Sequence, residues 1–266
     1  MEALQQLLVI MSRLRDPETG CPWDLRQTYS SIVPYTLEEA YEVADAIQRG
    51  DMQELRDELG DLLFQVVFYS QIAKEEGHFD FNQVAQGISE KMLRRHPHVF
   101  SDAEYGSDEE LRHAWEHAKA QEREQRSVSE VTSELDGIAH ALPALIRAEK
   151  LQKRVARVGF DWPDANGALT KLNEEFVEVQ EEIGNGDEAR LQDELGDLLF
   201  TVVNVVRLLG MDAEQTLSRA NEKFERRFRA MEQALHRSDR EDLHKLSAEA
   251  WDKAWEAVKR KELGDK

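Results

Sequence analysis

The chain has a single cysteine, Cys21, so no intrachain disulfide can form, and a reducing cytosol is the expected compartment. No apolar run approaches the ~18 residues of a membrane span. The first residues, Met1-Glu2-Ala3-Leu4-Gln5-Gln6, lack the basic region and apolar core of a signal peptide, and none is expected. Positive charge is scarce: 34 Lys and Arg face 54 Asp and Glu, for a net charge of −20. That balance argues against nucleic acid or an anionic membrane as a partner. No GxxxxGK occurs, which excludes a Walker phosphate loop and with it the P-loop ATPases and kinases. Strand signals are nearly absent too, so the expected fold is all-α.

What the chain does have is a repeat. Asp57-Glu58-Leu59-Gly60-Asp61-Leu62-Leu63-Phe64 recurs letter for letter as Asp193-Glu194-Leu195-Gly196-Asp197-Leu198-Leu199-Phe200, 136 positions later. Each copy follows a carboxylate cluster, Glu38-Glu39-x-x-Glu42 in the first half and Glu174-Glu175-x-x-Glu178 in the second. Both halves therefore read EExxE, a spacer, then ExxD. The 266 residues, 41% of them hydrophobic, suffice for two small cores, and the duplication favours tandem helical bundles. The expected divisions are residues 1–126, a polar linker over 127–140, and residues 141–266.

Helical geometry gives the repeat its chemistry. At ~100° per residue, Glu174, Glu175 and Glu178 share one ~100° arc, and Glu194 and Asp197 are neighbours on a second helix. Downstream, Leu198 to Val206 is apolar nearly all round, so burial of this helix is expected. Its polar stripe holds Asp193, Glu194, Asp197, Thr201 and Asn204. Carboxylates on a buried stripe need protons, cations or a metal. Four or five of them converging from two helices suit a hard divalent ion such as Mg²⁺. Glu181, Glu182 and Glu188 are expected on a solvated face.

Along the chain, residues 2–14 predict an amphipathic helix closed by Asp16-Pro17-Glu18-Thr19-Gly20, with Cys21 to Asp24 as a loop and Trp23 as a packing residue. Thr36 with Glu39 predicts a capping box. Gly50-Asp51 breaks the chain before a helix over 52–75; further helices are expected over 80–95, 108–124 and 142–157. Trp255-Glu256-x-x-Lys259 echoes Trp115-Glu116-x-x-Lys119.

The EExxE–ExxD pairing resembles the MazG family of nucleoside triphosphate pyrophosphohydrolases, and the tandem arrangement resembles its two-domain bacterial members. Gly20-Cys21-Pro22-Trp23-Asp24, the Arg94-to-Phe100 run, Val158-Gly159-Phe160-Asp161-Trp162 and the Asn221-to-Phe228 run carry the likeness over nearly the whole chain. The resemblance implies cleavage of nucleoside triphosphates to the monophosphate and pyrophosphate, in the service of nucleotide-pool control. It implies Mg²⁺ held by Glu175, Glu178, Glu194 and Asp197, with Glu174 placed to orient or deprotonate water. Lys223 and Arg227 are then triphosphate ligands, though surface ion pairing reads their spacing equally well. Trp255 stacks on the base with Lys259 beside it, and Lys171 contacts the nucleotide more weakly. The same resemblance implies hydrolysis in the C-terminal half and a homodimer. Glu39, Glu42, Glu58 and Asp61 form a second candidate site, with Lys91, Arg95, Trp115 and Lys119 around it.

Two rival classes are weighed against this one. A di-iron carboxylate bundle would use Glu110-x-x-His113 and Glu241-x-x-His244, but aligning Trp115 with Trp255 sets His113 opposite Lys253, so these pairs are not repeat equivalents. A non-catalytic helical protein would use its acidic faces to bind basic partners. The His96-Pro97-His98 pair lacks further ligands nearby and reads poorly as a metal site.

Overall fold

A computed structural model describes residues 2–101, 103, 105–126, 133–239 and 246–264. Among them there is no strand, and no helix is long and apolar enough to cross a membrane. The elements are α1 (Glu2–Leu14), α2 (Pro22–Leu25), α3 (Tyr29–Arg49), α4 (Met52–Glu75), α5 (Phe81–Arg95), α6 (Pro97–Phe100), α7 (Asp108–Arg126), α8 (Ala144–Ala156), α9 (Ala165–Asn185), α10 (Glu188–Leu208), α11 (Ala213–Asp239) and α12 (Ala248–Gly264). The chain divides into two compact units, residues 1–122 and 123–266.

The repeat is visible in the helix ends. Gly50 and Gly186, at φ 70° and 73°, adopt the left-handed conformation that closes α3 and α9. Asp51 and Asp187 then cap α4 and α10, each carboxylate accepting from the backbone N–H groups two and three residues on. Two tight reversals of the same chemistry thus produce two antiparallel pairs, α3–α4 and α9–α10.

The start of α3 differs from the sequence expectation. Its N-cap is Thr28, in a capping box with Ser31, and Thr36 lies inside the helix. Thr36 Oγ1 bonds the Ile32 carbonyl at 3.2 Å and the Tyr69 hydroxyl at 2.9 Å, tying α3 to α4. Pro34 lies inside α3 as well, and a proline so near the start removes one intrahelical bond without ending a helix already capped upstream.

In the first unit, Met11, Ile32, Val67, Phe68 and Ile72 form the core, packed round by Leu7, Leu8, Tyr29, Phe64, Tyr69 and Phe81. Burying a side chain such as Met11 or Phe68 stabilises the fold by about 1.5–3 kcal/mol each. Arg15 fastens the short α2 turn, which sequence reading leaves as a loop. Its Nη1 donates to the Asp24 carbonyl at 2.6 Å, while Nη2 pairs with Glu75 at 2.7 Å. Trp23 packs edge-on against Tyr35, centroids 5.9 Å apart.

In the second unit, α9 and α8 lie on α10, and α11 lies on α8 and α12. Residues 134–138 dock on α8, where Arg154 donates to the carbonyls of Glu134 and Asp136 and Ile138 is buried. Residues 127–132 of the expected linker lie outside the described residues.

The expected burial of α10 holds for only part of its surface. Thr201 and Val203 are buried, whereas Leu195, Leu199, Phe200 and Val202 are exposed, Leu199 by 61%. Within one chain α8 and α9 cover two arcs of this helix, and the remaining apolar arc faces outward. Leu59, Leu63 and Val66 leave a like arc open on α4.

Candidate metal centre

The α9–α10 reversal brings two carboxylate faces together. Oxygens of Glu175, Glu194 and Asp197 lie within 4.8 Å of one another. Glu178, one turn beyond Glu175, stays outside this triad and is exposed, yet its charge acts on Glu194. In the first unit the same construction gathers Glu39, Glu42 and Glu58, and Asp61 is the residue left out. Each half thus converges three of its four expected ligands. Among the described residues these are the two groups of acidic or histidine side chains suited to a metal ion.

The donor set can be tested against such an ion. Glu175 is only 4% exposed, and its Oε2 has no hydrogen-bond partner. A buried carboxylate oxygen without a partner is costly, and a cation satisfies it directly. Every donor in both triads is a carboxylate oxygen, the chemistry of hard divalent ions and not of zinc–thiolate or imidazole sites. The residues present fit a divalent cation.

Mutual repulsion has electrostatic consequences. Burial and the Asp61, Glu42 and Glu58 charges push the Glu39 carboxyl above its ordinary range. Glu58 is raised by burial and by Glu42, Asp61 and Glu54, and Glu194 by burial, Glu178, Glu175, Asp197 and Glu182.

Lys171 sits among the second-half carboxylates. Its Nζ lies 3.0 Å from Glu175 Oε1, 3.3 Å from Glu174 Oε2 and 3.9 Å from Glu178 Oε2. Its hydrogen bond to Glu175 drives the ammonium pKa well above the usual lysine range. Glu174 itself is exposed beside the triad, open to water.

One residue was misplaced by sequence reading. Glu182, expected on a solvated face, is largely buried, with Oε2 unpartnered and Arg190 3.5 Å from Oε1. The signal was available: Glu182 follows Glu178 by four and Glu175 by seven, which continues the same helical face towards α10.

The basic and aromatic candidates gather on α11 and α12. Arg227 Nε pairs with Glu262 at 2.7 Å, and Lys259 Nζ with Glu256 at 2.6 Å. Trp255 packs against Phe224, centroids 5.4 Å apart, and Lys223 is exposed on the same helix as Phe224. The first unit differs, with Lys119 lying 3.8 Å over the Trp115 ring and Arg95 paired with Glu122. Of the rival ligands, His96 and His98 lie with their rings tilted at 52°, centroids 5.8 Å apart, Glu110 accepts from the Gly106 N–H, and His113 is exposed. Glu241 and His244 lie outside the described residues.

With this geometry in hand, the chain can be set beside known proteins. The MazG nucleotide pyrophosphohydrolase domain model matches residues 27–100 and 165–231, one match per half, each containing a carboxylate triad. The nucleoside triphosphate pyrophosphohydrolase of Escherichia coli K12 is 51% identical over 265 residues, 99% of either chain. A Thermotoga maritima protein named nucleoside triphosphate pyrophosphohydrolase/pyrophosphatase MazG is 41% identical over 255 residues, 96% of this chain and 95% of its own. A crystal structure of a mazG-related protein from Thermotoga maritima, 28% identical, covers 44% of this chain and 98% of its own at a TM-score of 0.38. End-to-end identity to two such relatives, with the family's domain falling on both carboxylate helix pairs, places this chain in the MazG nucleotide pyrophosphohydrolase family.

Proposed function

We propose that the chain is a Mg²⁺-dependent nucleoside triphosphate pyrophosphohydrolase that releases a nucleoside monophosphate and pyrophosphate, with the second half as the main catalyst. The observation that carries this reading is the buried, unpartnered Oε2 of Glu175, in a triad with Glu194 and Asp197. We assign Glu175, Glu178, Glu194 and Asp197 as the metal-binding set, and Glu39, Glu42, Glu58 and Asp61 as its counterpart in the first half. Mg²⁺ bound there would supply fixed positive charge to the triphosphate and departing pyrophosphate and would acidify the attacking water.

The chain's own residues do the rest. Glu174 orients that water and takes its proton, which its exposure beside the triad permits. Lys171, paired with Glu174 and Glu175, offers its ammonium to the incoming phosphates. Lys223, Arg227, Lys259 and Trp255 form a cationic and aromatic surface that we assign to the nucleotide, the cations meeting its phosphates. The working divisions are residues 1–126 and 141–266, joined by 127–140.

We further propose a cytoplasmic homodimer active in nucleotide-pool control. The exposed Leu195, Leu199, Phe200 and Val202 of α10 are the apolar surface that a second copy would cover. Light scattering on the purified protein should give twice the chain mass; a monomer at working concentration would rule this out.

Purified protein with Mg²⁺ should convert nucleoside triphosphates to the monophosphate and pyrophosphate, and EDTA should abolish turnover. Release of orthophosphate and diphosphate would refute the assignment.

A further inference from the structure

The last helix of each half carries the same letters at the same spacing. Trp115-Glu116-x-x-Lys119-x-x-Glu122 in α7 recurs as Trp255-Glu256-x-x-Lys259-x-x-Glu262 in α12. At ~100° per residue, a Trp, the Lys four positions on and the Glu seven positions on share an arc of about 60°. Glu262 therefore lies on the face of α12 that carries Trp255 and Lys259.

The helix opposite repeats as well. Arg94 and Arg95 close α5, and Arg226 and Arg227 stand together in α11. In both units one glutamate bridges both arginines. Glu262 Oε1 accepts from Arg226 Nε at 3.2 Å, and its Oε2 from Arg227 Nε at 2.7 Å. Glu122 Oε1 accepts from Arg94 Nη2 at 3.4 Å, and its Oε2 pairs with Arg95 Nη2. One arginine of each pair is exposed, Arg94 or Arg226, while the side chains of Arg95 and Arg227 keep 14% and 21% of their exposure.

The two clamps differ in what they take from the guanidinium. Glu122 lies along one side of Arg95, against Nε and Nη2. Glu262 meets Arg227 at Nε. The end of the fork, Nη1 and Nη2, is the edge with which Arg227 can bind a phosphate through two parallel bonds. A free arginine loses much rotamer freedom when a phosphate collects it, and one already anchored at Nε loses less. Joining the helices does not fall to this ion pair alone: Phe224 meets Trp255 with centroids 5.4 Å apart, and Phe228 stacks on Trp251 at 6.0 Å. The Glu262 charge is not bare either. Its two arginines outweigh it, and the Arg227 hydrogen bond holds its carboxyl below the ordinary range.

We propose that Glu262 is a positioning residue for the triphosphate: steadied by Arg226, it fixes Arg227 through Nε and so presents the Nη end to phosphate. The inference rests on the assignment of Arg227 to the phosphates and names the group that orients it.

The test compares full-length wild type with Glu262→Met, Glu262→Gln, Arg227→Met, the Glu262→Met/Arg227→Met double variant and Glu122→Met. Each is measured by steady-state kinetics with ATP and Mg²⁺, by calorimetric titration with Mg²⁺ and inorganic tripolyphosphate, and by thermal melting. Glu262→Met should raise KM about tenfold, the scale of one charge-assisted hydrogen bond, and weaken tripolyphosphate equally. Its kcat should stay within about twofold of wild type, as expected for binding shared by ground and transition states. Glu262→Gln keeps an acceptor for Nε and should recover most of the loss. On the Arg227→Met background, Glu262→Met should cost less than about twofold more, because the two residues act as one unit. Glu122→Met removes the matching clamp from the first unit; it should melt as Glu262→Met does, with KM unchanged. Equal rises in KM for the two glutamate variants, or fully additive losses in the double variant, would make the contact a helix clamp and overturn the proposal. If Arg227→Met weakens tripolyphosphate and Glu262→Met does not, the proposal falls and the phosphate assignment stands. If Arg227→Met leaves tripolyphosphate untouched, both fall. If wild type releases no pyrophosphate the enzymatic reading fails, while the tripolyphosphate titrations still decide whether Glu262 acts through Arg227.

Discussion

The two halves share their helix caps, their αL glycines and an identical octapeptide, and they part company at two places beside the carboxylates. Where the second half has Lys171, the first has Tyr35, packed on Trp23. Where the second has Asn204 and an open cavity, the first has Phe68 in a closed core. Their matching buried pairs, Ile32 with Ala168, Val67 with Val203 and Gln65 with Thr201, show that one helix-pair frame underlies both. The shared positions build the reversal and converge the carboxylates. The differing ones decide whether a triad has a cation beside it and a hollow next to it. On this reading the first half keeps the frame and a triad, while the second keeps the equipment for a substrate.

The sharpest way to break the comparison is to remove ligands from each half in turn. Glu178→Gln and Asp197→Asn replace charged oxygens by weaker neutral ones at nearly constant shape. Activity should fall on the order of a hundredfold or more, since fixed charge at the reacting phosphate supplies much of the transition-state stabilisation. Glu42→Gln and Asp61→Asn should cost severalfold at most. Steady-state kinetics with circular dichroism as the folding control decides between the halves. Dead first-half variants beside active second-half ones would reverse the assignment, and activity in all four would end the metal reading.

Lys171 provides a subtler contrast. Its ammonium occupies part of the space and charge that a divalent ion would take at Glu175. Lys171→Met should therefore tighten Mn²⁺ binding to nucleotide-free protein severalfold, the scale of a part-buried ion pair, while raising KM for the triphosphate. Tyr35→Lys should weaken Mn²⁺ binding in the first half. Calorimetric titration of both variants reads the effect directly. Unchanged Mn²⁺ affinity in Lys171→Met would make this contact an ordinary surface pair.

Much of the frame was legible in the sequence because it rests on local rules. Gly50-Asp51 and Gly186-Asp187 announce their turns, and the ExxD spacing puts Glu194 beside Asp197 wherever the helix packs. What escaped depended on which neighbour covers which arc. The apolar run after Asp197 promises burial, but one chain supplies helices for only part of it, leaving Leu199 outside. Thr36 carries the letters of an N-cap, and only the Thr28–Ser31 box upstream shows the helix already under way. Glu182 looks like one more solvated glutamate until α10 is laid against α9. Gln152 gives no signal of its burial at all, since an amide in an amphipathic helix finds its partner, the Phe200 carbonyl, on another helix.

The smallest expected effect concerns pH and the metal-free fold. Glu39, Glu58 and Glu194 have carboxyl groups raised above their ordinary range by burial and neighbouring charge. The folded state therefore holds these protons more tightly than the unfolded chain does. Their contribution to stability is fully present below the ordinary carboxylate pKa and is lost as pH rises through the raised values. Glu75, Glu122 and Glu262 are shifted downward, against the pull of burial, by arginine partners and act in the opposite sense, but they are common to wild type and variants and cancel in the difference. With EDTA present, Glu58→Gln and Glu194→Gln should melt with wild type at pH 4 and up to a few degrees above it, at about the ~2–4 °C scale of a small stability change, at pH 7. Added Mg²⁺ should reverse the order at pH 7, because wild type alone keeps its full set of charged ligands. Thermal melts by circular dichroism at both pH values check this. If the variants melt below wild type at pH 7 in EDTA, the carboxylates are stabilising on their own and repulsion within the triads is not what the ion relieves.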